Sequence, residues 1–180
     1  MTVNFASHVR RAHRFLLPLG ITLGVVLLLL FAYGVLAVGV PASFITTHER
    51  AGNGIPADWP AVTAETDGVY AAAFLGPDGE GKLVAYVRQR GGLGWFFRLG
   101  MNLTSVPGSL DCAWAVPVVG QLVVFAPPET CAWAAAVCEA GRSVTEADPA
   151  APFLYVTPKG CTEVQLLGAD GSVLAAYPCP

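Results

Sequence analysis

One uncharged, strongly apolar run, Phe15 to Val40, constrains this chain more than any other feature. Wound as a helix, its 26 residues rise about 39 Å, against a hydrocarbon thickness of roughly 30 Å. Arg10, Arg11 and Arg14 stand directly before it, and all 13 acidic residues follow it. Basic residues flanking a first apolar segment hold that side in the cytoplasm, so the remainder is expected outside. The alternative is a cleaved signal peptide, with small residues at Ala37, Gly39 and Ala42 to suit a peptidase. A signal-peptide core needs only about 7–15 apolar residues, so the length favours an uncleaved anchor. Both readings place the rest of the chain on the far side of a membrane.

The expected organisation is a basic cytoplasmic tail over 1–14, a transmembrane helix over 15–40, a linker over 41–66 and a folded domain over 67–180. Pro41, Gly52-Asn53-Gly54, Pro56 and Pro60 break any periodicity in the linker region. Short strands separated by turns are expected from Val69 onward. Val69–Leu75 and Lys82–Arg90 flank Gly76-Pro77-Asp78-Gly79, whose Pro presets φ and whose Gly accepts a positive one. Trp95–Leu103, Cys112–Val119, Gln121–Phe125 and Phe153–Thr157 read as further strands, and a final hairpin closes the domain. The apolar stretch Ala113–Ala126 holds Pro117, Gly120 and Gln121, is short for a second span, and reads as buried strands. Pro127-Pro128-Glu129, an alanine-rich stretch and Gly141 predict one short helix over 127–140. The fold class is therefore a single transmembrane helix followed by a small, mainly antiparallel β domain with one short helix.

All five cysteines, Cys112, Cys131, Cys138, Cys161 and Cys179, lie on the expected oxidising side, which points to disulfides with one thiol left over. A three-residue loop Ala169-Asp170-Gly171 pairs Gly168 with Ser172 and, counting outward, Cys161 with Cys179. That pair falls on a non-hydrogen-bonded site with Cα atoms about 4.5 Å apart, within reach of a disulfide. Cys112 is then left for Cys131 or Cys138.

Histidine is confined to His8, His13 and His48. Its absence after Glu49 removes Ser-His-Asp and Cys-His catalysis and histidine metal sites from the folded domain. No Cys-x-x-Cys is present, and the acidic domain lacks the basic stripe that nucleic acid requires. The carboxylate pairs Glu65 and Asp67, Asp78 and Glu80, and Glu146 and Asp148 fall in expected loops, where acids are solvated. No catalytic residue, cofactor or metal is assigned. The best working surface is RQRGGLGWFFR, where Arg88, Arg90, Trp95, Phe96 and Arg98 would set an aromatic beside cations against lipid headgroups or a partner protein. Gly20 and Gly24 in the apolar run form a small-xxx-small pattern suited to helix packing.

These features describe a single-pass protein of the cell membrane, its N-terminal side cytoplasmic and its C-terminal domain extracytoplasmic. The expected role is a non-catalytic accessory, binding or assembly module, with the bilayer and a membrane-protein complex as partners. The alternative is an extracytoplasmic thiol-redox or soft-metal-handling protein using the unpaired cysteine.

Overall fold

Alternation of apolar and polar residues marks a sheet with one wet face, whereas runs such as Val69–Leu75 and Leu122–Ala126 are apolar throughout and require cover on both faces. The computed structural model, which describes residues 5–33, 39–88, 96–104 and 113–180, supplies that cover by stacking sheets. The chain divides into two units at Gly39 and Val40.

The first unit holds helix α1, Phe5–Tyr33. Its described side chains from Pro18 to Phe31 are all exposed. Thr22 satisfies its hydroxyl inside the helix by donating to Pro18 O at 2.8 Å. Among the described residues no helix is long and apolar enough to cross a membrane. The helix expected over 15–40 is thus described only as far as Tyr33.

The second unit opens with β1 (Val40–Pro41), a 3-10 turn and the short helix α2 (Ile45–Asn53). Gly54, left-handed at φ 64°, stops α2 and donates to Arg50 O. Eleven strands follow: β2 (Ala61–Thr66), β3 (Val69–Leu75), β4 (Gly81–Arg88), β5 (Phe96–Thr104), β6 (Trp114–Val118), β7 (Gln121–Ala126), β8 (Trp133–Cys138), β9 (Gly141–Glu146), β10 (Phe153–Val156), β11 (Cys161–Leu167) and β12 (Val173–Pro178). They form three antiparallel sheets with strand orders β1-β5-β4-β3-β2, β10-β7-β6 and β12-β11-β8-β9.

The three-stranded sheet lies between the other two. Val123, Phe125, Leu154 and Val156 pack on Val69, Ala71, Leu83 and Ala85 of the five-stranded sheet. Leu122, Val124 and Ala126 turn the other way, onto Ala134, Val164 and Leu166 of the four-stranded sheet. The remaining face of the five-stranded sheet, with Val40, Phe74, Val84, Tyr86 and Phe97, is covered by Ile45, Ile55 and Trp59. Arg50 fixes that cover: its guanidinium lies 5.3 Å from the Phe74 ring centroid and donates to Pro56 O and Trp59 O. Gly76 is required beneath it, because a Cβ there would overlap the Trp59 ring.

The sequence-based expectations hold for the antiparallel sheets and differ in three places. Residues 41–66 are not a linker; they carry β1, α2 and β2. The one short helix is α2, not 127–140, where a turn leads into β8. Ala134, Ala135 and Ala136 of β8 are fully buried, so alanine serves there to let neighbours approach closely rather than to favour helix. The third difference is the disulfide, which joins Cys138 to Cys161. The final hairpin begins as expected, with Gly168 N–H donating to Ser172 O at 2.9 Å and Leu167 opposite Val173. A bulge then places Ala175, not Leu174, opposite Leu166. From there the strand is displaced by one residue, and Cys179 donates its N–H to Thr162 O instead of facing Cys161. Cys161 stands opposite Cys138 on β8 and bonds there.

Candidate functional site

Two hairpin turns from different sheets come together at one end of the stacked sheets. Asp67 and Gly68 join β2 to β3 with φ of 48° and 83°, and Val119 and Gly120 join β6 to β7 with φ of 47° and 73°. Left-handed pairs of this kind suit two-residue hairpin loops, whose twist matches the strands. Asp67 and both glycines tolerate the geometry, but a β-branched residue does not. Val119 is nevertheless there, with 69% of its surface exposed. Between the turns, the end of β4 and Lys159 lies an open cleft of about 880 Å³.

Its polar groups are tightly held. Arg88 Nη2 donates to Glu65 Oε1 at 2.7 Å, and its guanidinium carbon sits 5.2 Å from the Phe97 ring centroid. The same residue's N–H donates to Gly68 O at 2.7 Å. Asp67 Oδ2 accepts the Lys159 N–H at 2.9 Å, tying the β2–β3 turn to the loop before β11. Gln121, fully buried, donates through Nε2 to Thr157 O at 2.6 Å and Thr66 O at 3.1 Å. Thr157 in turn accepts the Leu122 N–H on Oγ1 at 2.8 Å. The two carbonyl acceptors fix the orientation of the Gln121 amide, and its Oε1 is left with no partner among the described residues. The cleft therefore offers half-exposed cations beside carboxylates on a rigid frame, which suits recognition of a polar surface.

Of the surface expected from RQRGGLGWFFR, Arg88 lines this cleft. Phe96 is 7% exposed and Phe97 1%, so neither aromatic is offered to solvent. The expected display of Phe96 fails because both faces of the five-stranded sheet are covered and β1 pairs with β5 across Pro41 and Phe96. Arg98 is exposed on the same strand. Arg90 and Trp95 lie outside the described residues, as does Cys112. Val119, Gln121 and Lys159 are not singled out as site residues by the sequence, and Asp67 enters there only as one of a solvated carboxylate pair. An Asp-Gly pair at 67–68 and a lone amide in the apolar run 113–126 were the available signals.

Among the described residues, the cysteines outside the disulfide are Cys131, buried, and Cys179, half-buried. Burial pushes the Cys131 thiol above its usual range. Burial also raises Cys179, against a hydrogen bond with Thr157 that lowers it and with the Glu163 charge adding to the rise. Both effects disfavour the thiolate that redox or soft-metal chemistry requires. Among the described residues, no group of three or more His, Cys, Asp or Glu is placed to hold a metal ion.

No protein family, no curated protein and no solved structure matches this chain.

Proposed function

We propose that the chain is a single-pass membrane protein whose layered β domain is an extracytoplasmic binding or assembly module, non-catalytic in itself, with the bilayer and a membrane-protein partner as its associates. The observation that carries this reading is the uncharged run behind Arg10, Arg11 and Arg14, helical in α1 through Tyr33 and apolar on every side. A helix apolar all round needs a core or a lipid phase around it, and its described side chains from Pro18 to Phe31 are exposed. The internal hydrogen bond of Thr22 suits a lipid setting, where an unpaired hydroxyl is costly. The Cys138–Cys161 disulfide is consistent with an oxidising compartment. The cleft beside Arg88 and Lys159 supplies the recognition surface.

Alkaline carbonate washing of membranes tests the anchor, and proteinase K added to intact cells tests the orientation. The chain should stay with the membrane pellet, and the protease should remove an epitope placed after Pro180 while sparing one placed before Phe5. Release by carbonate, or a protected C-terminal epitope with an accessible N-terminal one, overturns the reading.

A further inference from the structure

Most sheet edges in the second unit are blunted. β1 is two residues long and contains Pro41, β6 carries Pro117, β10 has four residues, and β12 has both a bulge and Pro178. β2 and β10 lie against one another. The exception is β9, the outer strand of the four-stranded sheet. All six of its residues, Gly141 to Glu146, are exposed, and its pairing with β8 runs without a bulge from Gly141 to Glu146. It contains no proline and no lysine. Apart from the opposite charges Arg142 and Glu146 near its ends, nothing blunts this edge, and a long regular edge is a template for a further strand.

The main-chain direction of β9 follows from a bond just beyond it. Ala147 donates its N–H to Ala132 O on the β8 side at 2.9 Å. Direction alternates along a strand, so Ser143 and Thr145 also face β8. Arg142, Val144 and Glu146 therefore turn their N–H and C=O groups outward. Their side chains share one face of the sheet. On that face Arg142 Nη2 lies 3.3 Å from Gln165 Oε1, a long contact that leaves most of the guanidinium unengaged.

We infer that β9 is a self-association edge, and that its occupant is β9 of a second copy of this chain. The segment Arg142-Ser143-Val144-Thr145-Glu146 is self-complementary about Val144. In an antiparallel pair with its two-fold axis at Val144, each Arg142 faces the Glu146 of the other copy. Ser143 faces Thr145, and Val144, 56% exposed, faces its own counterpart. These are the pairings an isologous two-fold contact demands. Opposite charges and β-branched residues directly across are also favourable cross-strand pairs. The outward-facing residues are the same three, so the contact adds about six main-chain hydrogen bonds in three closed pairs. Two four-stranded sheets become one continuous sheet, and each β9 edge is consumed, so the assembly closes at two copies. Confinement of both chains to one membrane raises their effective concentration, which a contact of this modest size needs.

Full-length chains in native membranes, oxidised with copper–phenanthroline and run on non-reducing gels, test the register. Val144→Cys should cross-link to a homodimer above the background of the unsubstituted chain, whereas Ser143→Cys should not. Arg142→Cys and Glu146→Cys should cross-link when co-expressed and not when expressed alone. Adding Arg142→Glu to the Val144→Cys chain should lower the cross-linked fraction at least roughly fivefold, because two like-charge pairs then face each other. The double exchange Arg142→Glu with Glu146→Arg should restore it to within about twofold, since self-complementarity returns. Equal cross-linking at 143 and 144, insensitivity to Arg142→Glu, or no recovery in the double exchange overturns the inference. A dimer held by Gly20 and Gly24 in α1 would give the insensitive result.

Discussion

Glu49 and Lys82 are the buried charged side chains among the described residues, 2% and 6% exposed, and they meet between α2 and the five-stranded sheet. Glu49 Oε2 lies 3.6 Å from Lys82 Nζ and accepts from Asn53 Nδ2 at 2.6 Å, while Oε1 accepts from the Tyr86 hydroxyl. Ile45 and Glu49 are one turn apart, so a single face of α2 delivers both an apolar anchor and this carboxylate. Glu49→Ala would leave a buried ammonium and a buried phenol unmatched. We expect it to cost about 3–5 kcal/mol of unfolding free energy in chemical denaturation, an unpaired buried charge being the dominant part. An effect under about 1 kcal/mol would show that the pair is hydrated and contributes little.

Burial, then the hydrogen bond to the Glu49 carboxylate and its charge, raise the Tyr86 phenol well above its ordinary 10.0. The folded state thus favours protonated Tyr86. Its contribution to stability is complete below pH 10 and declines as pH rises from there through the raised folded value. Between pH 10 and 12 the wild type should lose stability faster than Tyr86→Phe, by up to about 1.4 kcal/mol per pH unit. Tyr70, also raised by burial, is common to both proteins and cancels in the comparison. Parallel stability curves over that range would contradict the burial of this hydroxyl. Gln121 shows how far single residues are readable. Its place in an apolar run marks it as unusual, but the two carbonyls it joins, Thr66 O and Thr157 O, come from distant segments and leave no local trace.

Turns and strands were the most legible elements, and where the reading failed, the cause was tertiary. The β3–β4 and β11–β12 hairpins announce themselves by their Pro-Asp-Gly and Asp-Gly loops. β8 does not, because alanine is a helix former by local preference and a spacer between sheets by packing. α2 and β2 were hidden by Gly52, Gly54, Pro56 and Pro60, which punctuate elements rather than abolish them. The bulge opposite Leu166 has no sequence signature, yet it displaces Cys179 and decides the disulfide. The cleft was illegible as a whole, since it joins turns from two sheets whose stacking is not written in either hairpin. One turn in it carries a testable cost. Val119 adopts φ 47° while its side chain packs little, so Val119→Asn should stabilise the domain by about 1 kcal/mol, raising Tm by a few degrees. A lowered Tm would mean that the valine methyls make contacts that outweigh the strained backbone.

Within the second unit, three sheets and α2 stack so that β7, at the centre of the middle sheet β10-β7-β6, is buried on both faces. This arrangement accounts for apolar content beyond the N-terminal run, including that of Ala113–Ala126. The membrane-anchor reading and the layered domain meet in the cysteines, because the same bond reports both the compartment and the strand register. Protein taken directly from cells should be quenched with N-ethylmaleimide, digested without reduction and mapped by mass spectrometry. A peptide pair linked through Cys138 and Cys161, with Cys131 and Cys179 present as free or alkylated thiols, is the expected result. Alkylation of Cys138 and Cys161 in every molecule would contradict an oxidising location, and a Cys161–Cys179 link would contradict the bulged register.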